Sequence, residues 1–330
     1  MQNLNEKLNA VFPGVAVSII VAIAAQFLSD HYGAPAMLMA ILLGIALQFL
    51  SEDEKTSVGI NFSSKVLLRI GVALLGVRIS FELISGLGAT FIGLAICGVI
   101  ATIVFALLLG KIFKHSTSFA FLTGGAVAIC GASAAMAIAA ILPNRENSER
   151  DLAFTVVGVT IMSTLAMIIY PIIASNLGFD AKETGFFLGA TIHDVAQVVG
   201  AGFSVSEETG EIATVVKLIR VMMLAPVVLI AAIILRNNKS GSAARPPLLP
   251  EFVIAFLIIA LLNSFHLIPT PVQNVANVVS RWALLAAIAA VGMKTSIKEL
   301  TKVGGQAIAL ISAQTLFLAG AIVLVLSFLK

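Results

Sequence analysis

The chain has 330 residues, 59% of them hydrophobic and 11% charged, with a formal net charge of +3 and a mean hydropathy of +1.06. A soluble domain carries about 25% charged residues to wet its surface, so a water-soluble globule is excluded and lipid is the surrounding this surface is built for. The positive balance is spread between apolar blocks rather than gathered in a basic run, which speaks against nucleic acid, and nothing resembles a phosphate-cradling loop or a dinucleotide fingerprint, so ATP-driven transport has no support.

A helix needs about 20 apolar residues to cross the hydrocarbon core. By that measure the sequence predicts an all-α, polytopic membrane protein of about eleven transmembrane helices, near 13–29, 35–51, 65–84, 87–110, 119–142, 151–175, 183–203, 212–235, 250–268, 272–293 and 305–329. Lys7 ahead of the first apolar run also fits a cleaved signal peptide. The run is nevertheless long enough to span, and the later segments continue its pattern. Connections are short except at 236–249, a polar, proline-containing stretch read as a cytoplasmic linker. It joins an N-terminal membrane half, 1–235, to C-terminal helices at 250–330 within one integrated membrane domain. The two cysteines, Cys97 and Cys130, lie in apolar stretches, which argues against a disulfide framework and against a metal site.

Orientation follows from the basic residues. With the N-terminus in the cytoplasm, the inside connections hold Lys7, Lys55, Lys65, Lys111, Lys114, Lys182, Arg236, Lys239, Arg245, Lys294, Lys298 and Lys302. The outside ones hold only Arg145, Arg150 and Lys330. That asymmetry is the positive-inside pattern, and it places the C-terminus outside.

An internal repeat is visible without gaps. Asn61–Ser80 laid over Asn277–Ser296 matches Asn61 with Asn277, Ser64 with Ser280, Lys65 with Arg281, Gly76 with Gly292 and Arg78 with Lys294. The two copies are an odd number of helices apart, so they are expected to run antiparallel, as inverted repeats do in secondary transporters. Chance likeness of two apolar helices is the alternative. A weaker similarity links FLTGGAVAICGASAAMAIAA with FFLGATIHDVAQVVGAGF. Both break at small residues, and one of the two is a candidate re-entrant segment.

Charges inside lipid cost at least ~2.5–3.5 kcal/mol each, so those present are usually functional or paired. Of 17 acidic residues and 4 histidines, only Asp194 and His193 lie deep in an apolar segment. Lys217 and Arg220 follow on one face of the next helix. The functional reading has Lys217 and Arg220 binding an anion, with Thr191 and Gln197 beside them and with His193 and Asp194 coupling an ion or proton. The structural alternative is an internal salt bridge from Asp194. A second candidate is Gly131-Ala132-Ser133, where a broken helix would offer backbone N–H groups to an oxyanion; close helix packing through small residues is its alternative. Arg78 is a candidate gate at one mouth, or a side chain reaching for the headgroups.

GVALLGVRIS, AICGASAA, GATIHDVAQVVGAG and VKLIRVMMLAPVV together resemble the YeiH-like sulfate exporter family of bacterial inner-membrane proteins, over essentially the whole chain. That family is grouped with the cation:proton antiporter/anion transporter superfamily, whose members have inverted repeats and crossed, discontinuous helices. The resemblance implies a secondary active transporter in the bacterial inner membrane, exporting sulfate, sulfite or a sulfonate by ion-coupled alternating access. It implies no cofactor and no enzyme activity; the partners expected are the anion, a coupling proton or cation, and lipid. A homodimer is compatible with the sequence and not required by it. A monovalent cation/proton antiporter centred on Asp194 is the rival within transport, although a single acid beside a histidine departs from the acid pair of sodium antiporters. An intramembrane enzyme using His193 and Asp194, or a membrane scaffold, are the rivals from other classes.

Overall fold

Every regular element among the described residues is helical. The computed structural model describes residues 2–32, 34–79, 81–143, 148–235, 250–295 and 305–329; the expected linker at 236–249 lies outside them. In chain order the helices are α1 (Gln2–Tyr32), α2 (Ala36–Ala46), α3 (Glu54–Phe62), α4 (Leu68–Leu74), α5 (Phe81–Ile112), α6 (Thr117–Ala128), α7 (Ala132–Ala139) and α8 (Ser148–Asn176). They continue as α9 (Ala181–Thr191), α10 (Val195–Val205), α11 (Glu207–Met222), α12 (Leu224–Leu235), α13 (Glu251–Ser264), α14 (Thr270–Lys294) and α15 (Gly305–Leu329). Seven described helical runs are long and apolar enough to cross a membrane: 9–32, 54–78, 85–112, 150–176, 207–234, 270–294 and 308–329. Shorter apolar helices lie at 36–46, 117–128, 195–205 and 251–264. Large apolar side chains such as Phe12, Ile20, Leu108, Ile234 and Phe328 stand exposed, as a surface turned to lipid requires.

The helices group into two units. The first comprises Met1–Gly86, Val199–Glu211 and Glu251–Ser296; the second comprises Leu87–Val198, Ile212–Pro250 and Ile297–Lys330.

In the first unit the repeat-bearing segments pack on each other. Arg78 Nε donates to Asn277 Oδ1 at 2.9 Å, and Lys294 Nζ donates to Asn61 Oδ1 at 2.9 Å. Each cation therefore ends one segment and binds the asparagine that begins the other, which requires the two to lie antiparallel. Glycine makes the approach of α2 to α14 possible. A Cβ on Gly292 would sit 2.4 Å from the Ile41 carbonyl oxygen, and one on Gly44 would sit 2.3 Å from that of Ala289. Both obstacles are backbone, so Gly292→Ala is expected to destabilise the protein by on the order of 1–3 kcal/mol. Gly93 in α5 has open space around it, and Gly93→Ala is expected to be neutral or stabilising, since alanine is the better helix former. Melting temperatures of the two variants in detergent check the contrast.

The second unit contains one helical hairpin and the tip of a second, whose α10 belongs to the first unit from Val199 onward. Ser116 starts the first by accepting from Phe119 N–H at 3.2 Å. A Cβ on Gly125, near the end of α6, would lie 2.2 Å from the Ile138 side chain, near the end of α7. A helix running straight on through residues 129–131 would separate those positions by roughly 20 Å at 1.5 Å per residue. α7 therefore folds back along α6, and the expected span at 119–142 is a hairpin.

Asp180 and Glu183 start the second hairpin with a reciprocal capping box. Gly189 of α9 packs on Ala213 and Val216 of α11, while Lys217 reaches Ile192 and His193. α9 and α11 thus run side by side in the same direction, and α10, which joins them, runs back. Ser206 alone separates α10 from α11; its Oγ accepts from Thr209 N–H at 3.0 Å, and Phe203 packs on Gly210 to close that turn. The expected span at 183–203 is likewise a hairpin. Hydropathy could not make this distinction, because two short apolar helices and one long one have the same composition.

Candidate functional site

The tips of the two hairpins meet within the second unit. The first tip is Ile129-Cys130-Gly131. Gly131 has φ +62° and ψ −127°, a conformation that side-chain-bearing residues rarely adopt. The second tip is Ile192-His193-Asp194. A Cβ on Gly131 would lie 3.8 Å from the backbone and Cβ of His193, and His193 Nδ1 lies 3.1 Å from the Val127 carbonyl oxygen.

Two helix C-termini end here, those of α6 and α9, and their last carbonyls have no helical donor. Lys217 and Arg220 supply the donors. Lys217 Nζ donates to Ile129 O at 2.6 Å, to Ile192 O at 3.0 Å and to His193 O. Arg220 donates through Nε to Ala128 O at 2.8 Å and through Nη2 to Val127 O at 2.8 Å. Its Nη1 reaches Gly189 O at 3.0 Å and Ile192 O at 2.8 Å. Each cation is thus bonded to both tips. Lys217 is 0% exposed and Arg220 1%. An ammonium has three N–H donors, so Lys217 has none left for a solute.

This differs from the expectation that Lys217 and Arg220 hold an anion directly. The surplus positive charge counted from the sequence is met by carbonyls at two negative helix ends, partners that a census of acidic side chains does not include. Irregular backbone at membrane depth is tolerated only where protein or water satisfies it, and these two side chains do so.

The helix N-termini at the tips differ from each other. Asp194 closes that of α10: its Oδ1 accepts from Ala196 N–H at 3.2 Å, and its own N–H donates to Ser163 Oγ at 3.0 Å. The N-terminus of α7 follows Gly131, which has no side chain to cap it, and the Cys130 thiol accepts from the Ala134 N–H in its first turn. Ser133 in its first turn is exposed and Ala132 half-buried.

The remaining expected residues are placed as follows. Thr191 is buried, with its hydroxyl donating to Phe187 O. Gln197 is buried, and its Nε2 donates to Thr164 Oγ1 at 3.5 Å while its Oε1 has no partner. Arg78 belongs to the first unit, where it pairs with Glu207, Glu211 and Asn277 and lines a cavity of about 400 Å³ with Phe203 and Arg281. Two residues of α15 were not expected. Thr315 Oγ1 lies 2.9 Å from His193 Nε2, and Gln314 Nε2 donates to Thr123 Oγ1 at 3.0 Å, leaving its own Oε1 buried without a partner. Hydroxyls and amides in apolar helices are too ordinary to stand out in a sequence. Among the described residues no group of histidine, cysteine and acidic side chains could hold a metal ion.

The model of the family described as Conserved hypothetical protein 698 matches residues 13–311. UPF0324 membrane protein TauZ of Paracoccus denitrificans is 57% identical over 318 residues, 94% of each chain. UPF0324 membrane protein RB0971 of Rhizobium meliloti is 57% identical over 321 residues, 96% of this chain and 93% of its own. UPF0324 membrane protein CT0845 of Chlorobaculum tepidum is 54% identical over 311 residues, 93% of this chain and 87% of its own. No solved structure matches the chain.

Proposed function

The chain belongs to the Conserved hypothetical protein 698 family of UPF0324 membrane proteins, and from that premise we propose that it is a secondary active transporter of a small oxyanion, of the sulfate, sulfite or sulfonate class. One observation carries the reading: two hairpin tips meet, and of their two helix N-termini one is closed by Asp194 while the other is left without an acid. A helix N-terminus carries roughly +0.5 of a unit charge, and its N–H groups suit oxyanions. Gly131, Ala132 and Ser133 are the binding residues in this reading. Lys217 and Arg220 act from behind as fixed charges that hold both tips and contribute positive potential without touching the solute.

The antiparallel Arg78–Asn277 and Lys294–Asn61 pairs support an inverted repeat, the architecture that gives a carrier its two faces. They extend the likeness beyond the aligned residues: α2 packs on Gly292 as α13 packs on Gly76. Export from a bacterial cytoplasm, with the N-terminus inside, follows the family resemblance and the positive-inside pattern. Arg78 serves as a gate residue in the first unit, held closed by Glu207 and Glu211.

Thermal stability of the purified protein against sulfate, sulfite, thiosulfate, sulfonates, bicarbonate and sodium tests the reading. A ligand bound only by the folded state stabilises it by RT ln(1 + [L]/Kd), so one or more sulfur oxyanions are expected to raise the melting temperature while sodium chloride at equal ionic strength does not. A shift with sodium alone would favour the cation/proton antiporter centred on Asp194.

A further inference from the structure

We propose that His193 takes up a proton when the anion binds, with Thr315 as its reversible hydroxyl partner, so that anion and proton cross together. The proposal rests on the anion site at the α7 N-terminus and adds the coupling ion, the residue that carries it and the sign of the coupling.

The ring's two partners are of different kinds. Val127 O can only accept, so Nδ1 keeps its hydrogen in every state. Nε2 faces the Thr315 hydroxyl, which can both donate and accept, and which also lies 2.8 Å from the Ile311 carbonyl oxygen. With the ring neutral, Thr315 O–H donates to Nε2. With the ring protonated, Nε2–H donates to Thr315 Oγ1 and the hydroxyl hydrogen turns to Ile311 O. Both states are fully hydrogen-bonded, and the change between them rotates one hydroxyl and moves no heavy atom. A buried imidazole without such a partner would leave an unmet donor or acceptor in one of its two states.

The surrounding charges set when the proton arrives. The groups around the ring are Lys217 and Arg220 of α11, Asp194 beside it in the same tip and the Cys130 thiol of the first tip, while α6 and α15 present Val127 O and Thr315 to it. In this proposal the ring is neutral in the empty protein, because a fully buried charge with no added counter-ion is costly. An anion at the N-terminus of α7 arrives next to Gly131, against which His193 packs, and adds the negative charge that lets the ring accept a proton from water. Binding linkage is reciprocal, so the proton strengthens the anion in turn. Release of the anion on the far side returns the proton to water there.

The test is the apparent affinity for sulfate, read from the anion-dependent melting temperature of the full chain, from weakly acid to weakly alkaline pH. Sulfate remains a dianion throughout that range while histidine titrates. The wild-type affinity is expected to fall by about tenfold per pH unit on the alkaline limb, the slope for one linked proton. His193→Gln is expected to bind sulfate without pH dependence. Thr315→Val, which touches the ring but not the N-terminus of α7 and leaves the protonated ring without an acceptor, is expected to lose the gain in affinity on acidification. A pH-independent wild type, or an unchanged slope in His193→Gln, would overturn the proposal and leave the anion site standing. Absence of any sulfate or sulfite shift at every pH would overturn the anion reading and this proposal with it.

Discussion

Replacing Lys217 with methionine, or Arg220 with leucine, is expected to lower the melting temperature of the detergent-purified protein by roughly 10 °C or more. The cause is the set of partners left behind rather than the lost charge. Removing Lys217 strips the donor from Ile129 O and His193 O, and removing Arg220 strips it from Ala128 O and Gly189 O, while Ile192 O keeps the other cation and Val127 O keeps His193. A buried acceptor without a donor costs about 1–3 kcal/mol, and these serve two helix ends that have no other donors in helical geometry. Breaking such a buried charged network typically costs about 3–5 kcal/mol. Arg220→Lys is expected to fall between the wild type and Arg220→Leu, since an ammonium keeps the charge but not the planar fork that reaches Val127, Ala128 and Gly189 together. If Lys217 and Arg220 were instead ligands for a solute, their apolar replacements would relieve a desolvated positive charge in the empty protein and leave its melting temperature equal or higher.

The second large effect concerns Ser133. Ser133→Asp places a carboxylate in the first turn of α7, where it stabilises the helix by about 0.3–1 kcal/mol, so the protein is expected to fold as well as the wild type. The same carboxylate would then occupy the positive end offered to the anion, as Asp194 already does for α10. Anion affinity is expected to fall at least tenfold, about 1.4 kcal/mol or more. Ser133→Ala removes only the hydroxyl and should cost far less, because the backbone N–H groups remain. Gly131→Ala should lose both stability and binding, because its positive φ is the turn that aims α7.

His193, Asp194, Lys217 and Arg220 stood out in the sequence because charge in an apolar segment is costly, and the structure brings them to one place. The partners of the two cations were not legible, because a helix C-terminus becomes an acceptor only once it is known where the helix ends. The hairpins were hidden for a related reason: Gly125 and Ile138 are ordinary apolar-helix residues, and only their contact shows that α7 returns. The Asn61/Asn277 and Arg78/Lys294 matches were legible as an alignment. That they bond each other reciprocally is a tertiary fact which no linear pattern contains. Thr315 gave no signal, since a threonine bonded to the carbonyl four residues back is common in apolar helices.

An oxyanion resting on the N-terminus of α7, which no acid closes, with Lys217 and Arg220 holding the tips behind it, makes transport depend on that helix end. Exchange of labelled sulfate or sulfite across proteoliposomes, comparing the wild type with Ser133→Asp at matched stability, tests it most directly. Flux is expected in the wild type, and near-background flux in the variant. Undiminished flux in Ser133→Asp, or no anion flux in the wild type under any proton gradient, would contradict it.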